Sequence, residues 1–476
     1  MPTLPRRLLV VAVAAVVAAC AGGTGTGPSA AGSSSPRAVG ANPIRIGAVF
    51  PTSGNAASLA LQELRGVQLA ADFVNADGGI GGRSIVLDTR DLEAGDAAPA
   101  AMASLRADGV SVVLGAYSSE LSIPAAAAAD KAGLVYWEAG AVADQLTGQG
   151  LPLVFRVGAS STNLGENSSD FAASQLAPRL GTTPAGLRLA IVAASDAYPQ
   201  SVAAAATATA RADGAPIVDQ QTYNLTYPDW PKVMAELAAA KPSVIILASH
   251  IDDGVAFRKA MVGAGLKVAA LIGSTMAECS PDFAGELGAD AVGVFASDRP
   301  TGGFQPSALD PAARATYDRL AAAWASDNPS SAPTDEYGSG GGSGAGSGYG
   351  AGGDPDAQSS SGAVIVGPID ESSPAAGPSE EALSGFSAAW ALFHDVLPAA
   401  GGTSAAQVAA AARALDLPVG SLPNGAGIKF SSAADSLGQN LRAAAVIWQW
   451  QAVQKYTFVW PPTYATGSIQ FVPLSR

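Results

Sequence analysis

Short apolar runs alternate with amphipathic stretches along this chain, and no other feature of the sequence restricts its fold as tightly. The first run, Ile44–Phe50, ends in the turn cluster Pro51-Thr52-Ser53-Gly54. Leu61, Leu64, Val67, Ala71 and Val74 then recur at three- and four-residue steps, which predicts a helix with one apolar face. Gly78-Gly79-Ile80-Gly81-Gly82 stops it, and Ile85-Val86-Leu87 resumes extended chain. Further strands are predicted over Val110–Leu114, Leu134–Trp137, Leu189–Ala193, Val244–Leu247, Ala270–Gly273 and Ala291–Phe295. Helices are predicted over Gln200–Ala212, Trp230–Ala240, Gly254–Ala264 and Leu383–Leu397, the last with Phe386, Trp390 and Phe393 on one side. The expected fold class is α/β, with mainly parallel sheets covered on both faces. Such sheets bind ligands beyond the carboxyl ends of their strands.

The first 43 residues read differently. Arg6 and Arg7 precede an uncharged apolar run, Leu8 to Ala19, which ends at Val17-Ala18-Ala19-Cys20. This is the pattern of a secretory signal, and the run is shorter than the roughly 20 apolar residues a membrane span needs. Cys20 after two small residues resembles a bacterial lipobox, which implies lipidation of its thiol and a membrane-tethered mature chain outside the cytoplasm. An ordinary signal peptide with a chance cysteine is the alternative. Residues 20–43, rich in Gly, Ser, Thr, Ala and Pro, read as a flexible tether. A second low-complexity stretch, Asp335 to Gly362, reads as a disordered surface insertion, with structure returning at Val364.

Composition and motifs exclude several functions. The net charge is −14, and loss of Arg6 and Arg7 with the signal takes it to −16, a poor balance for gripping phosphate backbones, so no nucleic-acid partner is expected. With two histidines and two cysteines there is little material for a first-row metal site, and HExxH and CxxC spacings are lacking. No phosphate loop or GxSxG elbow occurs. Gly348 to Gly353 formally matches GxGxxG, but no strand precedes it and no helix follows. His394 and Asp395 are neighbours on a predicted helix, which points them to different faces. Neither a cofactor nor an enzymatic activity is expected. About 430 residues beyond the tether exceed one typical core of roughly 100–200 residues, so two lobes are expected.

Several separated segments carry a resemblance. They run in order as Ile44–Gly54, Gly66-Val67-Gln68-Leu69-Ala70, Val74 to Arg83, Leu114-Gly115-Ala116-Tyr117-Ser118-Ser119 and Asp196-Ala197-Tyr198. Gly427 to Phe430 and Ile447 to Trp450 follow near the end. Together they resemble the branched-chain amino acid and amide group of type I periplasmic solute-binding proteins. The resemblance implies two Rossmann-like lobes joined by three crossovers, near Arg156–Ser160, Ser297–Gly302 and Leu441–Ile447. Lobe 1 would comprise 44–158 and 300–441, and lobe 2 would comprise 159–299 and 442–476. It further implies a small polar or amino-acid-like ligand in the cleft, delivery to ABC permease subunits, and a monomer. A lipoprotein that reports its ligand to a membrane receptor, or an exported hydrolase, remains an alternative.

Candidate ligand residues follow from these two readings. Ser118 and Ser119 follow a strand and precede a helix, where hydroxyls and free N–H groups suit a carboxylate, though either serine can simply cap the helix. The resemblance places Ser119 at the carboxylate and Tyr198 on the ligand from the other lobe; a packed tyrosine is the alternative. In Trp137-Glu138-Ala139-Gly140-Ala141-Val142 the amino acid binders carry a serine, and a threonine in place of Val142. Here Glu138 has the chemistry to pair with an ammonium and Trp137 to offer an aromatic face, or else Glu138 is a surface carboxylate and Trp137 core. Gly140 and Ala141 complete that loop. His250 follows a strand, and Asp252-Asp253 can cap the next helix. Thr275 stands where the family commonly has an acidic partner for the ammonium, and Leu59 where it often has an aromatic.

Overall fold

A computed structural model describes residues 42–54, 56–327 and 377–474. The predicted signal peptide, Cys20, nearly all of the tether and the Asp335–Gly362 insertion lie outside the described residues. The described residues form one compact unit that contains two large sheets and a two-stranded ribbon.

The first sheet holds β1 (Ile44–Phe50), β2 (Ile85–Asp91), β3 (Val112–Gly115), β4 (Val135–Glu138) and β5 (Val154–Arg156), in the order β2-β1-β3-β4-β5 and parallel throughout. Strands β3 to β5 are buried along their whole length, as expected where helices cover both faces. On one face the helix Ala57–Ala76 docks against the helix Glu380–Trp390. Glycines set how closely they approach. A Cβ on Gly66 would lie 2.1 Å from the Ala382 carbonyl oxygen, and one on Gly385 would lie 2.2 Å from that of Glu63.

The second sheet has the order β14-β13-β10-β9-β8-β6-β7. Its parallel part is β6 (Leu189–Ala194), β7 (Ile217–Tyr223), β8 (Val244–Ala248), β9 (Ala270–Ser274) and β10 (Phe295–Asp298). The antiparallel strands β13 (Val446–Ala452) and β14 (Lys455–Trp460) complete it, after a small ribbon of β11 (Asp416–Leu417) and β12 (Ile428–Lys429). Gly165 plays the role of Gly66 here. It lets the helix Ser161–Phe171 sit against the alanine-rich helix Ala197–Ala212, since a Cβ would meet the Val202 carbonyl oxygen at 2.4 Å. Small side chains thus replace bulky ones, and backbone proximity supplies the packing density.

The chain passes between the sheets three times: after β5, after β10 and before β13. Asn440 ties two of these passages. Its Nδ2 donates to the carbonyl oxygens of Val157 and Gly427, each at 2.9 Å, and its N–H donates to that of Arg156 at 3.0 Å.

Three sequence expectations need correction. The strand predicted over Ala291–Phe295 begins only at Phe295, because Gly288–Ala291 forms a 3-10 turn and Gly293 takes a φ of +96°. The helix expected over Leu383–Leu397 starts at Glu380 and widens into π-helical turns over Ala391–Val396. Within that widened stretch the His394 and Asp395 side chains do meet, with Nδ1 and Oδ1 2.9 Å apart, and His394 stacks on Trp390.

Candidate ligand-binding site

The carboxyl ends of β3 and β4 in one lobe, and of β6, β8 and β9 in the other, carry the loops that face each other. Val142 and Ala143 from the first lobe share a buried cluster with Ala193, Tyr198 and Val202 of the second. Ser201 Oγ reaches Gln145 Oε1 across the same junction at 3.0 Å.

Ser118 caps the helix Ser119–Ala132, its Oγ accepting from the Leu121 N–H at 3.4 Å. The N–H groups of the first helical turn, that of Ser119 included, have no partner four residues back and point outward from the helix start. Ser119 Oγ accepts from the Ala143 N–H at 3.0 Å, which joins the two loops of the first lobe and leaves its own proton available to donate.

Glu138 turns onto its own loop. Its Oε1 accepts from the N–H groups of Ala139 (3.1 Å), Gly140 (2.9 Å) and Ala141 (3.0 Å), and its Oε2 from the Tyr136 hydroxyl (3.1 Å). Burial raises its pKa, and the hydrogen bonds from Ala141, Ser122, Gly140 and Tyr136 counter part of that rise. Arginines hold the carbonyl side of the loop. Arg299 Nη1 donates to Gly140 O at 2.7 Å and Ala139 O at 3.3 Å, while Arg156 Nη1 donates to Ala143 O at 2.6 Å and Ala141 O at 3.3 Å. Trp137 lies fully inside the first lobe, between Phe155 and Phe430, with its Nε1 donating to Ala388 O at 2.8 Å. Side chains alternate along a strand, and Trp137 falls on the core face of β4. The hydrogen bonds of the Glu138 carboxylate and the ring contacts of Trp137 all lie within the first lobe among the described residues.

On the second lobe Tyr198 opens the helix Ala197–Ala212, buried, with its hydroxyl donating to Ser249 O and its ring edge-on to His250 at 4.8 Å. His250 Nε2 lies 3.3 Å from Asp196 Oδ2. Burial would lower the imidazole pKa, but the hydrogen bond and charge of Asp196, with Asp253, outweigh it and raise it. Asp253, rather than Asp252, completes the cap, accepting the His250 N–H at 3.0 Å. Thr275 follows β9 at a φ of +77°, a conformation that β-branched residues rarely adopt. Its hydroxyl is buried beside the Tyr198 phenol.

Other buried polar groups, which sequence reasoning did not single out, lie in the same two lobes. Ser249 Oγ and both carboxylate oxygens of Glu278 are likewise buried and without hydrogen-bond partners among the described residues. Burial pushes the Glu278 carboxyl up to about 8, with Asp253 adding to the rise. In the first lobe Glu63 is buried against Gly140 with both oxygens in the same state, and burial, reinforced by Glu138, raises its pKa well above the carboxylate range. Cys279, Asp298 and Glu380 bring ligand-type atoms within 4.8 Å of one another, but Arg299 Nε pairs with Glu380 and lies 3.5 Å from Asp298. The guanidinium supplies the positive charge there, and no metal is assigned.

A two-lobed α/β body with opposed loops at its strand ends is the architecture of an extracytoplasmic solute receptor. The chain belongs to the periplasmic binding protein family, whose profile it matches over residues 43–345. It is a solute-binding protein and not an enzyme, like its relatives. It is 29% identical over 430 residues to Leu/Ile/Val-binding protein homolog 8 of Brucella abortus, covering 90% of this chain and 93% of that one. Among solved structures it resembles a putative branched-chain amino acid ABC transporter protein from Silicibacter pomeroyi, with a TM-score of 0.67 and 20% identity over 91% of this chain and 100% of that one. It also resembles the branched-chain amino acid transporter substrate binding protein LivJ of Streptococcus pneumoniae, solved with isoleucine, with a TM-score of 0.62 and 18% identity over 88% of this chain and 100% of that one.

Proposed function

We propose that this protein captures a small zwitterionic, amino-acid-like solute between its lobes and hands it to an ABC-type permease, tethered outside the cytoplasm by lipid on Cys20. The opposite polarity of the two facing surfaces carries this reading. The first lobe offers the start of the helix Ser119–Ala132 with the Ser119 hydroxyl, a setting suited to a carboxylate. The second offers Asp196, Asp253, Glu278 and the Thr275 hydroxyl, a setting suited to an ammonium. Gly140 and Ala141 line the first side as backbone, and Tyr198 and His250 line the second. A ligand that touches both halves favours the shut arrangement by the contacts only that arrangement makes. The names of the relatives agree with such a ligand.

A thermal-shift screen of the twenty common amino acids, followed by calorimetry, tests this. Binding by at least one, with a loss of roughly tenfold or more in Ser119→Ala, is expected. A chain that binds none sinks the reading. The tether is tested separately: Cys20→Ala should release the protein from membranes into the medium of cells that express it.

A further inference from the structure

Glu63 is a buried titratable group that the reading of the cleft leaves unused. It sits within the helix Ala57–Ala76, 1% exposed, and neither of its carboxyl oxygens has a hydrogen-bond partner among the described residues. The carboxyl rests on the loop after β4. A Cβ on Gly140 would lie 2.1 Å from Glu63 Oε2 and 2.8 Å from Tyr117 Cδ2. Behind it, a Cβ on Gly385 of the helix Glu380–Trp390 would lie 2.8 Å from Glu63 Cγ. The groups that act on it are Glu138 from β4, Tyr117 from the loop after β3, Glu381 from the helix Glu380–Trp390 and Arg299 from the passage after β10. Arg299 is the cation among them, and it is already held by Glu380 and by the carbonyl oxygens of Ala139 and Gly140.

Two neighbouring buried carboxyl groups do not both ionise readily, and hydrogen-bond donors decide which of them keeps the charge. Glu138 accepts three N–H groups and the Tyr136 hydroxyl, whereas Glu63 accepts none among the described residues. A buried carboxylate without hydrogen bonds is far costlier than the neutral acid. We infer that Glu63 is a positioning residue that holds a proton, and that this proton seats the loop 139–143 on the helix Ala57–Ala76. With the proton in place, Gly140 packs on a neutral group. Without it, a second negative charge stands beside Glu138 under the loop, and water has to enter between helix and loop to solvate it. Burial and then the charge of Glu138 hold the Glu63 carboxyl well above its ordinary value near 4.5, with Arg299 acting the other way. The seating is therefore complete in acid and is lost as pH rises through the folded value. The Ala143 N–H donates to Ser119 Oγ at 3.0 Å, so an unseated loop also frees Ser119. The consequence for ligand capture rests on the reading of the cleft given above.

The test compares the full protein with Glu63→Gln, whose amide keeps a neutral group of the same shape, from about pH 5 to about pH 10. Infrared spectra report the protonated carboxyl groups. Hydrogen exchange read by mass spectrometry, corrected for the intrinsic rate at each pH, reports the amides of the loop 139–143. The expected wild-type result is loop protection that falls by up to about tenfold per pH unit once the proton leaves. In Glu63→Gln one carboxylic acid band should be missing at neutral pH, and loop protection should stay within about threefold across the range. The same acid bands in both proteins would overturn the assignment, and so would protection that falls equally in both. Should the variant not fold, wild-type protection that falls as the acid bands fade supports the assignment, and protection that stays level while they fade overturns it. The twenty common amino acids, titrated at both ends of the range, separate this device from the cleft reading. Affinity that falls with loop protection in wild type alone supports the link to Ser119, and affinity indifferent to the loop breaks it. If none binds at either end, the cleft reading falls while loop protection still decides the role of Glu63.

Discussion

The two lobes present unlike surfaces to one another. In the first, the loop after β4 spends its polar groups on its own protein: Glu138 takes three N–H groups, and Arg299 and Arg156 take four carbonyl contacts. In the second, the turns after β8 and β9 bury Ser249 Oγ and the Glu278 carboxylate without a hydrogen bond to another residue among the described residues. The loop after β4 is held as a rigid template by its own hydrogen bonds, whereas the turns of the second lobe bury polar groups that such bonds do not hold.

Trp137→Ala gives the largest effect expected from this contrast. Emptying a fully buried indole should cost about 3–5 kcal/mol of unfolding free energy in a denaturant titration. Ligand affinity of the folded fraction should stay within about threefold of wild type. A stable variant with collapsed affinity would move Trp137 from the core to the ligand.

A pH titration of the ligand-free protein probes the second lobe. Burial pushes the Glu278 carboxyl from its ordinary value near 4.5 up to about 8, so its share of stability is complete below about 4.5 and is lost as pH rises through about 8. His250, also raised, acts in the same direction above its ordinary value near 6.5. Glu278→Gln should flatten the stability profile between pH 5 and 8 by up to about 1.4 kcal/mol per unit. An unchanged slope would assign the loss to Asp253, Glu63 or His250. The smallest effect belongs to Ser201→Ala, which removes the contact to Gln145 between the lobes; roughly 1 kcal/mol or less should be lost, seen as a slight weakening of ligand affinity.

Much of the fold was legible from residue pattern. Buried parallel strands declare themselves as apolar runs, and β1 spans the predicted residues, Ile44–Phe50. The three-residue β5 and the half-polar edge strand β7 (Ile217–Tyr223) carry too little contrast to be seen this way. Residues just past strand ends, such as Ser119, Tyr198, His250 and Thr275, were reachable because strand ends place them at the junction. The direction in which Glu138 turns was not, since it depends on how five loop residues curl around a carboxylate. Glu63 did carry a signal: it lies three residues after Ala60 and four before Val67, on the buried face of its helix, where a carboxylate is out of place. Nothing local marks Glu278.

The glycine-mediated contact between the helices Ala57–Ala76 and Glu380–Trp390 has a practical consequence. The helix Pro311–Asp327 also ends against Ala57–Ala76, where Asp327 pairs with Arg65, so Asp327 and the helix Glu380–Trp390 both sit beside the same helix. Both points are held by contacts to that helix, and lengthening the chain between two held points costs only slowly growing closure entropy. A fluorescent domain spliced between 328 and 376 would therefore leave the receptor intact. It would also lie just before Glu380, the partner of Arg299, and so report on the passage between the sheets that follows β10.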